Sequence, residues 1–175
     1  MDLERQNKIY EKQWKIEREE KQKSFLEKIQ LLNLNDEIEC LSFGDSDSFQ
    51  TKANEWPDKY GKKLYYQIEL ENSNEVLKLI KAYFKTIETD FIYIYLLNLN
   101  FGLVKISKLD FIPYWKDIVE IDGDEVFCHN PLNGEFILIE KTEDLIIGFE
   151  QQGKKWLYEI TISNEVLMER IKNGI

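Results

Sequence analysis

The side chains able to do nucleophilic, acid-base or metal chemistry are few in this 175-residue chain and badly spaced for it. There is one histidine, His129, and the two cysteines, Cys40 and Cys128, lie 88 positions apart with no CxxC pairing. His129 directly follows Cys128, and neighbours along a strand point to opposite faces, so the two do not make a Cys-His dyad. One imidazole and two distant thiols also leave a zinc site short of its four ligands. Both cysteines read as reduced packing residues rather than as a disulfide. The signatures GxxxxGKS/T, GxGxxG and HExxH do not occur. Asp122-Gly123-Asp124-Glu125 lacks the ligand spacing of an EF-hand, and a tight Asp-Gly turn accounts for it more simply. No catalytic residue, metal or cofactor is expected, which leaves the carboxylates.

Carboxylates are abundant and unevenly placed. The chain carries 33 acidic and 23 basic residues, a formal net charge of −10, which excludes nucleic-acid binding through a lysine and arginine surplus. Residues 1–30 are balanced, with 8 basic and 7 acidic side chains. Residues 110–150 hold 11 acids against Lys116 and Lys141, a local charge of −9. Aromatic residues stand among these acids, and the combination suits an interface in which charge speeds encounter and aromatics hold the complex. The residues expected to meet a partner are Asp110, Tyr114, Trp115, Asp117, Glu120, Asp122, Asp124 and Glu125.

The elements that must position these residues suggest a single α+β domain over residues 1–175, built mainly on antiparallel strands. Residues 1–32 read as one long charged helix. It is expected to dock at both ends and be solvated in the middle, or else to serve as a partner-binding arm. The turn-rich stretch 44–61 reads as a long loop with at most a short helical turn at 49–56. A strand at 63–70 and a helix at 73–87 follow, the helix capped by Asn72 with Glu75. Strands at 91–97 and 102–107 come next. After Trp115 the pattern predicts a meander of 117–121, 125–129, 135–140, 144–150 and 155–162. Its turns fall at Asp122-Gly123, at Asn130-Pro131 with Asn133-Gly134, at the polar 141–143 and at Gln152-Gly153. A C-terminal helix from Ser163 closes the chain.

The chain also resembles itself. GKKLYYQIEL (61–70) matches GKKWLYEITI (153–162) without a gap, and both run into SNEVL, at 73–77 and 163–167. Duplication of a strand-helix unit and convergence on a common strand-to-helix composition both account for the match.

Apolar runs such as 91–97 are far shorter than the roughly 20 residues of a membrane-spanning helix, and the charged N-terminus lacks a secretory signal's apolar core. The expected compartment is the cytoplasm, with no membrane partner. The stretch YWKDIVEIDGDEVFCHNPLNGEFILIE (114–140) resembles small immunity proteins encoded beside bacterial toxins, including those of contact-dependent inhibition systems. The resemblance implies a non-enzymatic α+β protein that occludes one cognate toxin, commonly a nuclease. An acidic inhibitor of a basic nuclease domain, making no direct contact with nucleic acid, is thus the leading expectation. A nucleic-acid mimic acting on a defence nuclease and a carboxylate-dependent enzyme are the alternatives.

Overall fold

The computed structural model describes residues 3–60, 63–147 and 152–163, with side chains described for 6–52, 63–143 and 155–163. Twelve elements follow one another: α1 (Leu3–Ile29), β1 (Glu39–Cys40), α2 (Phe43–Tyr60), β2 (Leu64–Glu69), a 3-10 turn (Leu70–Asn72), α3 (Ser73–Phe84), β3 (Phe91–Tyr95), β4 (Leu103–Ser107), α4 (Lys108–Ile121), β5 (Glu125–His129), β6 (Phe136–Ile147) and β7 (Gln152–Ser163). The strands form one antiparallel sheet in the order β1-β4-β3-β5-β6-β7-β2. The fold is α+β.

Strand alternation divides the sheet into two unlike faces. Ile92, Ile94, Val104, Ile106, Val126, Cys128, Ile137, Ile139, Ile160 and Ile162 share one face, and all are buried. Phe25 and Ile29 of α1, Val76, Ile80, Tyr83 and Phe84 of α3, and Phe111, Trp115 and Ile118 of α4 complete that core. Aromatic pairs tie the layers together: Phe25 lies 5.4 Å from Phe101, Phe84 5.5 Å from Phe111, and Trp115 5.1 Å from Tyr158. Tyr83 donates its buried hydroxyl toward the carbonyls of Cys128 and Glu135, joining α3 to the β5–β6 connection. On the opposite face α2 lays Phe49 against Tyr93 and His129.

Several elements differ from the sequence expectation. Residues 43–60 are helix rather than loop. Ser42 caps them: its hydroxyl accepts from the Asp45 backbone N–H and donates to the Asp45 carboxylate, and the Ser46 N–H reaches the Ser42 carbonyl. The turn-like composition concealed a serine N-cap. Residues 117–121 belong to α4, not to a strand, because Phe111, Trp115, Ile118 and Val119 recur at helical spacing and Ser107 caps the helix through the Asp110 N–H. Asp122-Gly123 therefore ends a helix. Gly123 N–H bonds to the Glu120 carbonyl and Asp124 N–H to that of Val119, with Gly123 at φ +81°, the Schellman arrangement.

The 141–143 segment is not a turn either. Lys141, Thr142 and Glu143 pair with Tyr158, Leu157 and Trp156, making β6 one continuous strand, and Gln152 and Gly153 lie within β7 opposite Ile147 and Ile146. Asn72 makes no side-chain cap, its backbone already being wound into the 3-10 turn ahead of α3. The expected Asn130–Gly134 turn is present, with Gly134 at φ +72°. The expected C-terminal helix and residues 148–150 of the expected fourth meander strand lie outside the described residues.

Among the described residues the long helix docks through its C-terminal half. Every residue from 7 to 17 is exposed, including Ile9, Tyr10, Trp14 and Ile16, whereas Arg18, Phe25 and Ile29 are buried. Arg18 marks the point of entry. Its guanidinium donates to the Phe101 carbonyl at 2.9 Å and to both Asp47 carboxylate oxygens at 2.9 and 3.0 Å, and it stacks 4.3 Å over the Phe43 ring. Among the described residues no helix is long and apolar enough to cross a membrane.

Beside Arg18, α2 approaches the β3–β4 connection closely. Ser46 is fully buried, and its hydroxyl accepts from the Leu103 N–H at 3.0 Å. A Cβ on Gly102, whose φ is +141°, would lie 2.8 Å from that oxygen. Gly102→Ala is expected to cost about 1–3 kcal/mol through strain and lost fit, read as a lower urea midpoint with an unchanged slope.

Candidate functional site

The residues expected to meet a partner separate into two groups. Asp110, Trp115 and Asp122 are buried and engaged within the fold, so they do not form part of an outward-facing interface. Asp110 accepts from the backbone N–H groups of Asn35 and Asp36, from the Asn35 amide and from the Ser107 hydroxyl, pinning the chain after α1 to the start of α4. Burial works to raise its pKa, but those donors outweigh it and hold the carboxyl below the ordinary value. Asp122 accepts from the Asn98 and Leu99 N–H groups; here burial prevails and the carboxyl is pushed up. Trp115 packs on Tyr158. Tyr114 is half-buried, with its hydroxyl toward the Asn33 carbonyl.

The remaining four reach solvent in different places. Glu120 and Asp124 both pair with Lys141, at 3.0 and 3.4 Å. Asp117 lines an open groove of about 340 Å³ with Glu120, Lys28 and Leu31. Glu125 stands on the other face of the sheet.

At Glu125 the register brings together what the linear sequence keeps apart. Glu125 faces Glu140, Glu140 faces Glu159, and Glu159 faces Gln67, a row across β5, β6, β7 and β2 on the face away from the main core. Neighbouring strands stand about 4.8 Å apart, so three carboxylates fall within roughly 10 Å. Like charges directly opposite each other destabilise a sheet. Glu159 accepts from the Gln67 amide at 3.0 Å, and among the described residues none of the three glutamates has an ion-pair partner. Burial, then Glu140 and Asp122, push the Glu125 pKa up; burial, then Glu159, do the same to Glu140. Hydrogen bonding to Glu159 raises the Tyr65 phenol. The next row toward α2 is apolar and aromatic: Tyr95, Phe127, Leu138, Thr161 and Tyr65, the last 55% exposed. Acids beside aromatic anchors thus occur on the sheet face, with Phe127 and Tyr65 in the place expected for Tyr114 and Trp115.

Glu140 and Glu159 were not among the expected interface residues, because only strand register shows that they face Glu125. The glutamates line up rather than converge. Among the described residues no group of three His, Cys, Asp or Glu side chains is placed to hold a metal ion. His129 is enclosed by Phe49, Phe127 and Phe136, and burial pushes its pKa down to about 4.

Two outcomes are expected. Asp110→Ala leaves two backbone N–H groups without their acceptor and should cost about 3 kcal/mol at neutral pH. Because the folded pKa of Asp110 lies below its unfolded value, this contribution is present above about pH 4 and is lost as pH falls through the lowered value, so the variant should show a shallower acid limb in denaturant titrations. Glu140→Gln has the opposite sign. A raised folded pKa means that the glutamate penalises the fold above its unfolded value, so the variant should gain about 0.5 kcal/mol at pH 7. The gain should shrink as pH approaches 4 in thermal unfolding.

Comparison with protein-family models, with curated proteins and with solved structures finds no match to this chain.

Proposed function

We propose that the chain is a non-enzymatic inhibitor that docks its sheet face on a basic protein domain, in the manner of the toxin-immunity proteins it resembles, and blocks that domain by occlusion. The single observation supporting this reading is the row Glu125-Glu140-Glu159, which places like charges directly opposite one another with no described cation between them. Such a row weakens the free protein and gains its compensation when lysines or arginines of a partner fill the gaps. Tyr65 and Phe127, alongside the row, supply apolar contact at its border. A nuclease domain is the favoured partner class, since a surface that binds phosphates is basic and carboxylates can occupy it in their place.

The test uses the purified chain and the product of the reading frame next to its own, which on this reading is the toxin domain. The wild-type chain should inhibit that domain stoichiometrically. Replacing Glu125, Glu140 and Glu159 together by lysine should slow association at least tenfold and abolish inhibition, while circular dichroism stays unchanged. Full inhibition by the folded triple variant at physiological salt, or no inhibition by the wild type, would overturn the reading.

A further inference from the structure

The internal repeat and the sheet topology meet at one place. In the gap-free match, Tyr66 corresponds to Tyr158, Gln67 to Glu159 and Ile68 to Ile160. In the fold these two segments, β2 and β7, are hydrogen-bonded neighbours running antiparallel. Gln67 faces its own counterpart Glu159, Tyr66 faces Ile160 and Ile68 faces Tyr158. The pairing is therefore symmetric about a local two-fold axis through the Gln67-Glu159 pair. The strand motif is self-complementary: each copy presents, in reverse, what the other copy needs. Contacts between identical subunits have the same property when they are isologous.

β2 is also the last strand of the sheet, and its outer edge carries no strand among the described residues. It is 6 residues long, whereas the strand at the other end of the sheet, β1, has only 2. An open edge of that length is a template for another strand.

We propose that the β2 edge pairs with β2 of a second copy of this chain, antiparallel and about a two-fold axis through Gln67, repeating between molecules the register that β2 and β7 adopt within one. The occupant follows from the chain itself, since the strand that already pairs with β2 on its inner side repeats its Tyr66 and Ile68 as Tyr158 and Ile160, with a polar residue between them at the same place. In this register Tyr65 of one copy faces Glu69 of the other, Tyr66 faces Ile68, and the two Gln67 amides meet on the axis. Faces match: Tyr66 and Ile68 lie on the core side, Tyr65, Gln67 and Glu69 on the open side. The two sheets join into one. The row Glu125-Glu140-Glu159-Gln67 then continues into its symmetry mate, whatever that row binds. Each copy carries −10, so pairing should strengthen with added salt, unlike an association built on ion pairs.

Cysteine cross-linking reads the register directly. In a Cys40→Ser background, Gln67→Cys places two thiols opposite each other across an antiparallel pair, at about 4.5–5.5 Å between Cα atoms, within disulfide reach. Mild oxidation should give a covalent dimer. Tyr65→Cys and Glu69→Cys should each stay monomeric alone and cross-link when mixed. A second variant guards against misfolding. Gln67→Lys puts a lysine beside Glu159 within the chain but opposite another lysine across the axis, so it should shift sedimentation equilibrium toward monomer with no loss of thermal stability. Absence of a cross-link in the Gln67→Cys variant at submillimolar protein and high salt, or equal self-cross-linking of all three single variants, would overturn the proposal.

Discussion

Burial of one aliphatic stripe governs this molecule. The ten Ile, Val and Cys side chains on the core face of β3 to β7 are sealed by α1, α3 and α4. Each aliphatic side chain so buried contributes about 1.5–3 kcal/mol. Strand alternation then decides everything directly opposite. The residues between those apolar positions must appear on the second face, where α2 lays Phe49 over one end and the glutamates occupy a row farther along the strands. A one-residue slip in register would exchange the faces and bury three carboxylates, so the acidic row is as firmly placed as the core.

Buried charges act separately from that stripe, by fixing the connections. Arg18 joins α1, α2 and the β3–β4 connection through Asp47 and Phe101. Asp110 gathers the chain after α1 onto the start of α4, and Asp122 holds the turn after β3. These groups are hydrogen-bonded by backbone or by a bidentate partner, the condition under which a charge is tolerated away from water. Net charge by position is consequently a poor guide to surface charge here. Among the described residues, three of the acids between 110 and 150, Asp110, Asp122 and Glu135, are buried rather than surface groups.

Much of the architecture was legible because it rests on periodicity. The strands at 63–70, 91–97, 102–107, 125–129 and 155–162 and the helix at 73–87 carry apolar residues at their own spacing, while the helix at 1–32 was legible from its charged composition. The errors arose where composition outweighed capping. Gly44, Asp45, Ser46 and Asp47 look like a loop until Ser42 and Asp45 are recognised as a helix start, and the β-rich 117–121 was detached from the helical run that begins at Phe111. The polar 141–143 hides a continuous strand because its charged positions sit at the rim, where Lys141 meets Glu120 and Asp124. The site was half legible. An acidic and aromatic surface is readable from composition, but which acids face one another depends on strand pairing between residues 15 and 19 positions apart, and one sequence contains no direct record of that.

The enclosure of His129 reaches beyond packing. The chain's one imidazole is held neutral by its aromatic surroundings, and burial raises both thiols, so no imidazole or thiol changes charge around neutrality. The charge that the protein presents is in this respect indifferent to modest acidification. Its reach is set by dissolved ions instead: the field decays over about 8 Å at physiological ionic strength and over about 30 Å at 0.01 M. Encounters guided by this surface are tuned by salt, and by protons through the raised carboxyls of Glu125 and Glu140 rather than through histidine or cysteine.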